Sequence, residues 1–230
     1  AKRLGKEDQI ALSFHKIGHV YRSWHQYDKA IENFQQALTL FKKLGEENWI
    51  ILSLESIGLV YRIRGQNDKA IENFQQALAI AKRLGKEDRV ADLLGNIGQT
   101  YYRQQQYTPA IKYYIESIEI IEKLRKTATG NARRDYLASQ INNYMFLIKS
   151  YQRNSEPAKA FEVMEQGRSR LLAERLTGSE SEVRISSVKS IQDKMENSSA
   201  ILSYANSTRP EISLGTLTQS DIHGQVISVL

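Results

Sequence analysis

Apolar residues recur at helical spacing along most of this chain. In residues 31–41 they fall at Ile31, Phe34, Ala37, Leu38 and Phe41. Steps of three and four place them on one face of a helix. The pattern then returns. Residues 66–85 (QNDKAIENFQQALAIAKRLG) nearly copy residues 26–45 (QYDKAIENFQQALTLFKKLG), and residues 81–88 (AKRLGKED) are identical to residues 1–8. Gly18, Gly58 and Gly98 each follow an Ile and precede Tyr21, Tyr61 and Tyr101 by three positions. Ala30, Ala70 and Ala110 keep step, as do Phe34, Phe74 and Tyr114, so the period is 40. Tyr151 and Ala160 repeat the Tyr101–Ala110 spacing and mark a diverged fourth copy.

Each copy reads as two helices, with pairs expected at about 9–46, 48–86, 88–126 and 135–176. Gly5, Gly45 and Gly85 each follow a basic last turn, as at a helix C-terminus. Asp28 and Asp68 are placed to cap, and Thr108-Pro109 and Glu156-Pro157 read as helix starts. The extra length before the fourth copy falls in residues 127–136 (TATGNARRDY), which reads as a loop.

Gly–x–x–Tyr in a first helix, then Ala and an aromatic four residues on in a second, resembles the tetratricopeptide repeat. That repeat is about 34 residues long. The longer period here is similar to the extended repeats of kinesin light chains and cell-polarity adaptors, the latter most in LGNIGQTYY (94–102). The resemblance covers residues 9–176. It implies an all-α, right-handed superhelical solenoid with a concave groove lined by first helices, and a protein-binding role. Residues 1–8 match the end of a second helix, so a repeat is expected to precede them.

The texture changes after Leu176. Residues 177–199 read as a polar linker and a short helix, and residues 200–230 as an incomplete β-hairpin segment. AFEVMEQGRSRLLAERL (160–176), a short helix, AILSY and a hairpin together resemble the passage from tetratricopeptide repeats into a CHAT domain, a caspase-like peptidase found in bacteria, notably cyanobacteria. That implies a regulatory array ahead of a protease domain. The family's catalytic His and Cys would lie further on, so none of its catalytic residues is carried over.

Composition narrows the chemistry. The 230 residues include no Cys, which excludes within them a disulfide, a thiolate metal site and a cysteine nucleophile. It also fits a reducing compartment, and the expected location is the cytoplasm. Apolar runs such as residues 49–52 fall far short of the roughly 20 residues that cross a bilayer. AKRLGKED is charged and unlike a secretory leader. The +6 charge is modest for a nucleic-acid binder. The densest basic stretch, residues 123–134 with Lys123, Arg125, Lys126, Arg133 and Arg134, reads as a solvated loop rather than a nucleic-acid contact.

The groove is expected to hold His15, His19 and Arg22 from the first copy, at i, i+4 and i+7. Arg62 follows from the second, Asn96, Gln99, Tyr102 and Arg103 from the third, and Lys149 and Arg153 from the fourth. Guanidinium and ammonium groups suit an acidic peptide. Asn96 is similar to the asparagine with which the adaptor repeats hold a peptide backbone. His15 and His19 lack a third ligand, so no metal site is expected, nor any cofactor or catalytic constellation. The partner is expected to be an acidic protein or peptide; self-association is the alternative, and no membrane contact is expected.

Overall fold

The computed structural model describes residues 5–127 and 131–177, with side chains described at 5–127 and 141–167. The described residues form helices joined by turns: α1 (Lys6–Ser23), α2 (Tyr27–Leu44), α3 (Glu47–Ile63), α4 (Asn67–Arg83), α5 (Glu87–Arg103), α6 (Tyr107–Thr127), α7 (Asn131–Arg153) and α8 (Pro157–Thr177). The expected linker, short helix and β segment lie outside them. The chain divides into two compact units, Ala1–Phe146 and Leu147–Leu230, and the division falls inside α7.

In the first unit each helix from α1 to α6 packs on the next. The turns inside each pair need one left-handed residue, and it is His25, Gly65 or Gln105, with φ of 59°, 74° and 60°. Only glycine meets that conformation without steric cost. Between pairs the left-handed residue is Gly45 or Gly85. Close approach explains the other periodic glycines. A Cβ on Gly18 or Gly58 would stand 2.7 Å from the ring of Phe34 or Phe74, and one on Gly98 3.1 Å from Tyr114. The three rings are fully buried, and Phe41 joins them. Each glycine therefore makes room for its own repeat's aromatic, which is why the two recur together.

The repeat also carries polar ties. Lys43 reaches Glu7 at 2.7 Å, Arg83 reaches Glu47 at 2.6 Å and Lys123 reaches Glu87 at 2.5 Å, always 36 residues apart. These pairs lie at the surface, where each contributes about 0–1 kcal/mol. In the second unit, Lys159 lies over the Tyr151 ring at 5.7 Å, as Lys29 lies over Tyr21 and Lys69 over Tyr61 in the first. Tyr151 and Ala160 are buried there, so the fourth copy keeps this Lys-over-Tyr contact, with Ile148 in place of the repeat glycine.

Four local expectations change. Asp28 and Asp68 are not caps: α2 and α4 start one residue before them, behind Gln26 and Gln66, which make no side-chain cap bond. The two aspartates instead bind the next repeat, Asp28 accepting from Arg64 and Asp68 from Gln104. Thr108 and Pro109 lie within the first turn of α6, where a missing N–H costs nothing. Residues 131–136, expected in a loop, are the opening turns of α7, rich in the good helix formers Ala and Arg. Gly5 is the N-cap of α1 with φ −69°, not a left-handed helix end.

Candidate functional site

Side-chain contacts join successive first helices in the first unit. His15 on α1 brings Nε2 to 3.5 Å from Ser56 Oγ on α3. Asn96 on α5 is held by α3 from two sides: its Nδ2 donates to Glu55 Oε1 at 3.1 Å, and its Oδ1 accepts from Arg62 Nη1 at 3.1 Å. Its main-chain oxygen accepts from Thr100 Oγ1 at 2.8 Å. Asn143 on α7 crowds Gly95 on α5, where an added Cβ would meet its Oδ1 at 2.6 Å. Asn143 Nδ2 donates to Ser117 Oγ at 2.9 Å, and that hydroxyl donates to the Ala91 carbonyl at 2.7 Å. Without Gly95, α5 and α7 could not approach so closely.

Between α3, α5 and α7 lies a pocket of about 250 Å³ lined by Glu55, Asp92, Gly95, Asn96, Gln99, Asn142, Asn143 and Phe146. Four of these side chains are amides. Each amide offers donors and an acceptor together, the pairing that a peptide main chain presents in return. Two carboxylates, Glu55 and Asp92, also line it, with Arg62 and Arg89 close by. Burial, with Asp92 beside it, raises the pKa of Glu55 above its ordinary value, against the opposing pull of Arg89, the Asn96 hydrogen bond and Arg62. Arg89 lies 3.8 Å from Asp92. Burial, with Arg103 nearby, lowers Arg62 to about 10, so it stays charged at neutral pH.

Of the expected groove residues, the structure brings Asn96 and Gln99 into this pocket and sets Arg62 beside it as the partner of Asn96. Tyr102 packs its ring edge on Phe146 at 5.5 Å. Arg103 is exposed. His15 is only 8% exposed and lies within 5.7 Å of the rings of His19, Phe34 and Trp49. It is therefore largely a packing residue between α1, α2 and α3. Burial lowers its pKa and, joined by His15 and Arg22, takes His19 to about 4. Arg22 is half-buried at the end of α1. Lys149 and Arg153 belong to the second unit, where both are exposed.

Asp92, Asn142, Asn143 and Phe146 were not singled out from sequence. A signal exists for two of them. Taking the 95 and 145 positions back one helical turn gives Asp92 and Asn142. Asn143 and Phe146 are legible only once the packing of α7 on α5 is known. In the basic stretch, Lys123 is paired with Glu87, and buried Arg125 with Glu122, whose other oxygen accepts from Tyr144. Among the described residues no three His, Asp or Glu side chains converge as metal ligands, and no helix is long and apolar enough to cross a membrane.

Residues 49–123 match one tetratricopeptide-repeat family and residues 11–43 another, both described as "Tetratricopeptide repeat". Neither is a catalytic family. No curated protein matches the chain. Similar solved structures include BtubC (BKLC) from P. vanneervenii, 21% identical with a TM-score of 0.64, covering 80% of this chain and 71% of that one. Aspartyl phosphate phosphatase F from Bacillus subtilis is 19% identical with a TM-score of 0.64, over 76% of this chain and 43% of that one. The Rap conjugation gene regulator of the plasmid pLS20, in complex with a Phr peptide, is 16% identical with a TM-score of 0.56, over 90% of this chain and 54% of that one. These likenesses concern the fold. The chain carries tetratricopeptide repeats, and its described part is an all-α repeat array.

Proposed function

We propose that this tetratricopeptide-repeat array is a protein-interaction module that captures an extended peptide segment along its first helices. The observation that carries the reading is the pocket between α3, α5 and α7, where Asn96, Gln99, Asn142 and Asn143 supply paired donors and acceptors. Asn96 is fixed by Glu55 and Arg62 before any ligand arrives, so little ordering cost falls on binding. The peptide complex of the Rap regulator supports the same use of a similar fold. An acidic ligand side chain would find Glu55 and Asp92 inside the pocket, so its place is outside it, near exposed Arg103. The resemblance of residues 160–230 to a CHAT junction makes a caspase-like domain the proposed target of regulation, in the cytoplasm.

Selection of a phage-displayed peptide library on the chain tests the site. Asn142 and Gln99 line the pocket without being part of the Glu55–Asn96–Arg62 network. Selected peptides should bind the parent and lose about tenfold or more in affinity for a Gln99→Ala/Asn142→Ala variant, which removes two hydrogen-bonding groups. Unchanged affinity would place the ligand elsewhere.

A further inference from the structure

The pocket between α3, α5 and α7 departs from the repeat in its charge. Glu55 stands where the neighbouring copies have His15 and Gly95, and Asp92 where they have Leu12 and Leu52. A carboxylate at either position does not maintain the repeat, since it occurs in a single copy, yet the two line one pocket. Glu55 is half-buried on α3. Its Oε1 accepts from Asn96 Nδ2 at 3.1 Å, and among the described residues it makes no other hydrogen bond and no ion pair. Arg62 lies nearby, but its Nη1 is given to the side-chain and main-chain oxygens of Asn96, at 3.1 and 3.3 Å. Arg89 stands 3.8 Å from Asp92, beyond hydrogen-bond reach. An enclosed carboxylate is ordinarily paired with a cation, because burial without one is costly. That cost shows in Glu55, whose pKa is raised chiefly by burial and then by Asp92.

We infer that the pocket selects a basic side chain, Lys or Arg, of the captured peptide, with its cationic head against Glu55 and Asp92. The inference rests on the peptide-capture reading and names what enters that site. An ammonium offers three donors and a guanidinium five, and neither accepts. The pocket answers with the two carboxylates and with the side-chain oxygens of Gln99 and Asn142. Phe146 gives the stem of the side chain an apolar wall. Its ring is held by Tyr114, stacked at 6.1 Å, and by the ring edge of Tyr102 at 5.5 Å. The volume of about 250 Å³ admits the cationic head and its last methylenes. A charge pair made inside the pocket is screened less by salt than one at the surface.

Peptides selected on the parent chain test it, synthesised with an acetylated N-terminus so that only a side chain carries the cation. They should share a Lys or Arg at one position. Replacing that residue by Gln should cost about tenfold or more in affinity for the parent, the scale of a charge-assisted hydrogen bond. A Glu55→Gln/Asp92→Asn variant keeps an acceptor for Asn96 and removes both charges. The basic and the Gln peptides should bind it alike, and the Gln peptide should bind it as well as it binds the parent. Equal affinity of the two peptides for the parent would overturn the proposal. So would a preference for the basic peptide that persists undiminished in the variant, which would place that side chain elsewhere. If either result comes with an affinity that still falls for Gln99→Ala/Asn142→Ala, peptide capture stands and only the basic side chain is lost. If that affinity is also unchanged, the capture reading fails as well.

Discussion

His19 shows how a single residue reports its surroundings. Its imidazole is held at about 4 chiefly by burial, then by His15 and Arg22, against 6.5 for an exposed histidine. A lowered folded-state value means that the unfolded chain takes up the proton first, so stability is lost as pH falls from 6.5 toward 4. The ring is only partly buried, so solvent screening discounts the effect. Replacing it by Gln should remove about 1 kcal/mol of this acid sensitivity, read as the difference between parent and His19→Gln in urea unfolding at pH 7.5 and 4.5. Parallel pH profiles for the two proteins would contradict the assignment. Sequence spacing placed His15 and His19 on one helix face. It could not show that the face is partly closed, because Phe34 and Trp49 close it from α2 and α3.

At the scale of elements, each of the first three repeats rests on a glycine facing an aromatic and on a left-handed residue in its inner turn. Gly58→Ala drives a Cβ into Phe74, whose ring is fully enclosed. Overpacking of this kind costs about 1–3 kcal/mol, more than the gain in helix propensity. Denaturant unfolding should show that loss, and a neutral result would mean that α3 and α4 can separate freely. The opposite sign is expected at Gln105, which holds φ 60° where the second repeat has Gly65. Gln105→Gly should stabilise by about 0.5–1 kcal/mol, the steric relief exceeding the added freedom of the unfolded chain. The period, the helix pairing and the Gly–aromatic couples were all legible in the sequence, because each repeats in register. What could not be read was which polar residues answer one another across repeats. Asp28 has the composition of a cap, but its partner Arg64 lies 36 residues away and is revealed only by packing.

For the whole molecule, charge alone misdirects. The chain carries +6, and its first helices present arginines, yet Arg62 is engaged with Asn96, and carboxylates line the pocket beside it. A ligand held by main-chain hydrogen bonds should bind with weak dependence on salt, since the screening that removes exposed ion pairs leaves such bonds largely intact. Selected peptides should therefore keep their affinity between low and physiological salt, and a steep loss would point to the exposed basic residues instead. The basic 123–134 stretch is a weak competitor, with Lys123 and Arg125 already paired to carboxylates. The most direct test of peptide capture follows the side-chain NH₂ signals of the chain by NMR as a selected peptide is added. Shifts concentrated at Asn96, Gln99, Asn142 and Asn143 are the result predicted here. Shifts that spare those four amides and fall on residues 123–126 would contradict it.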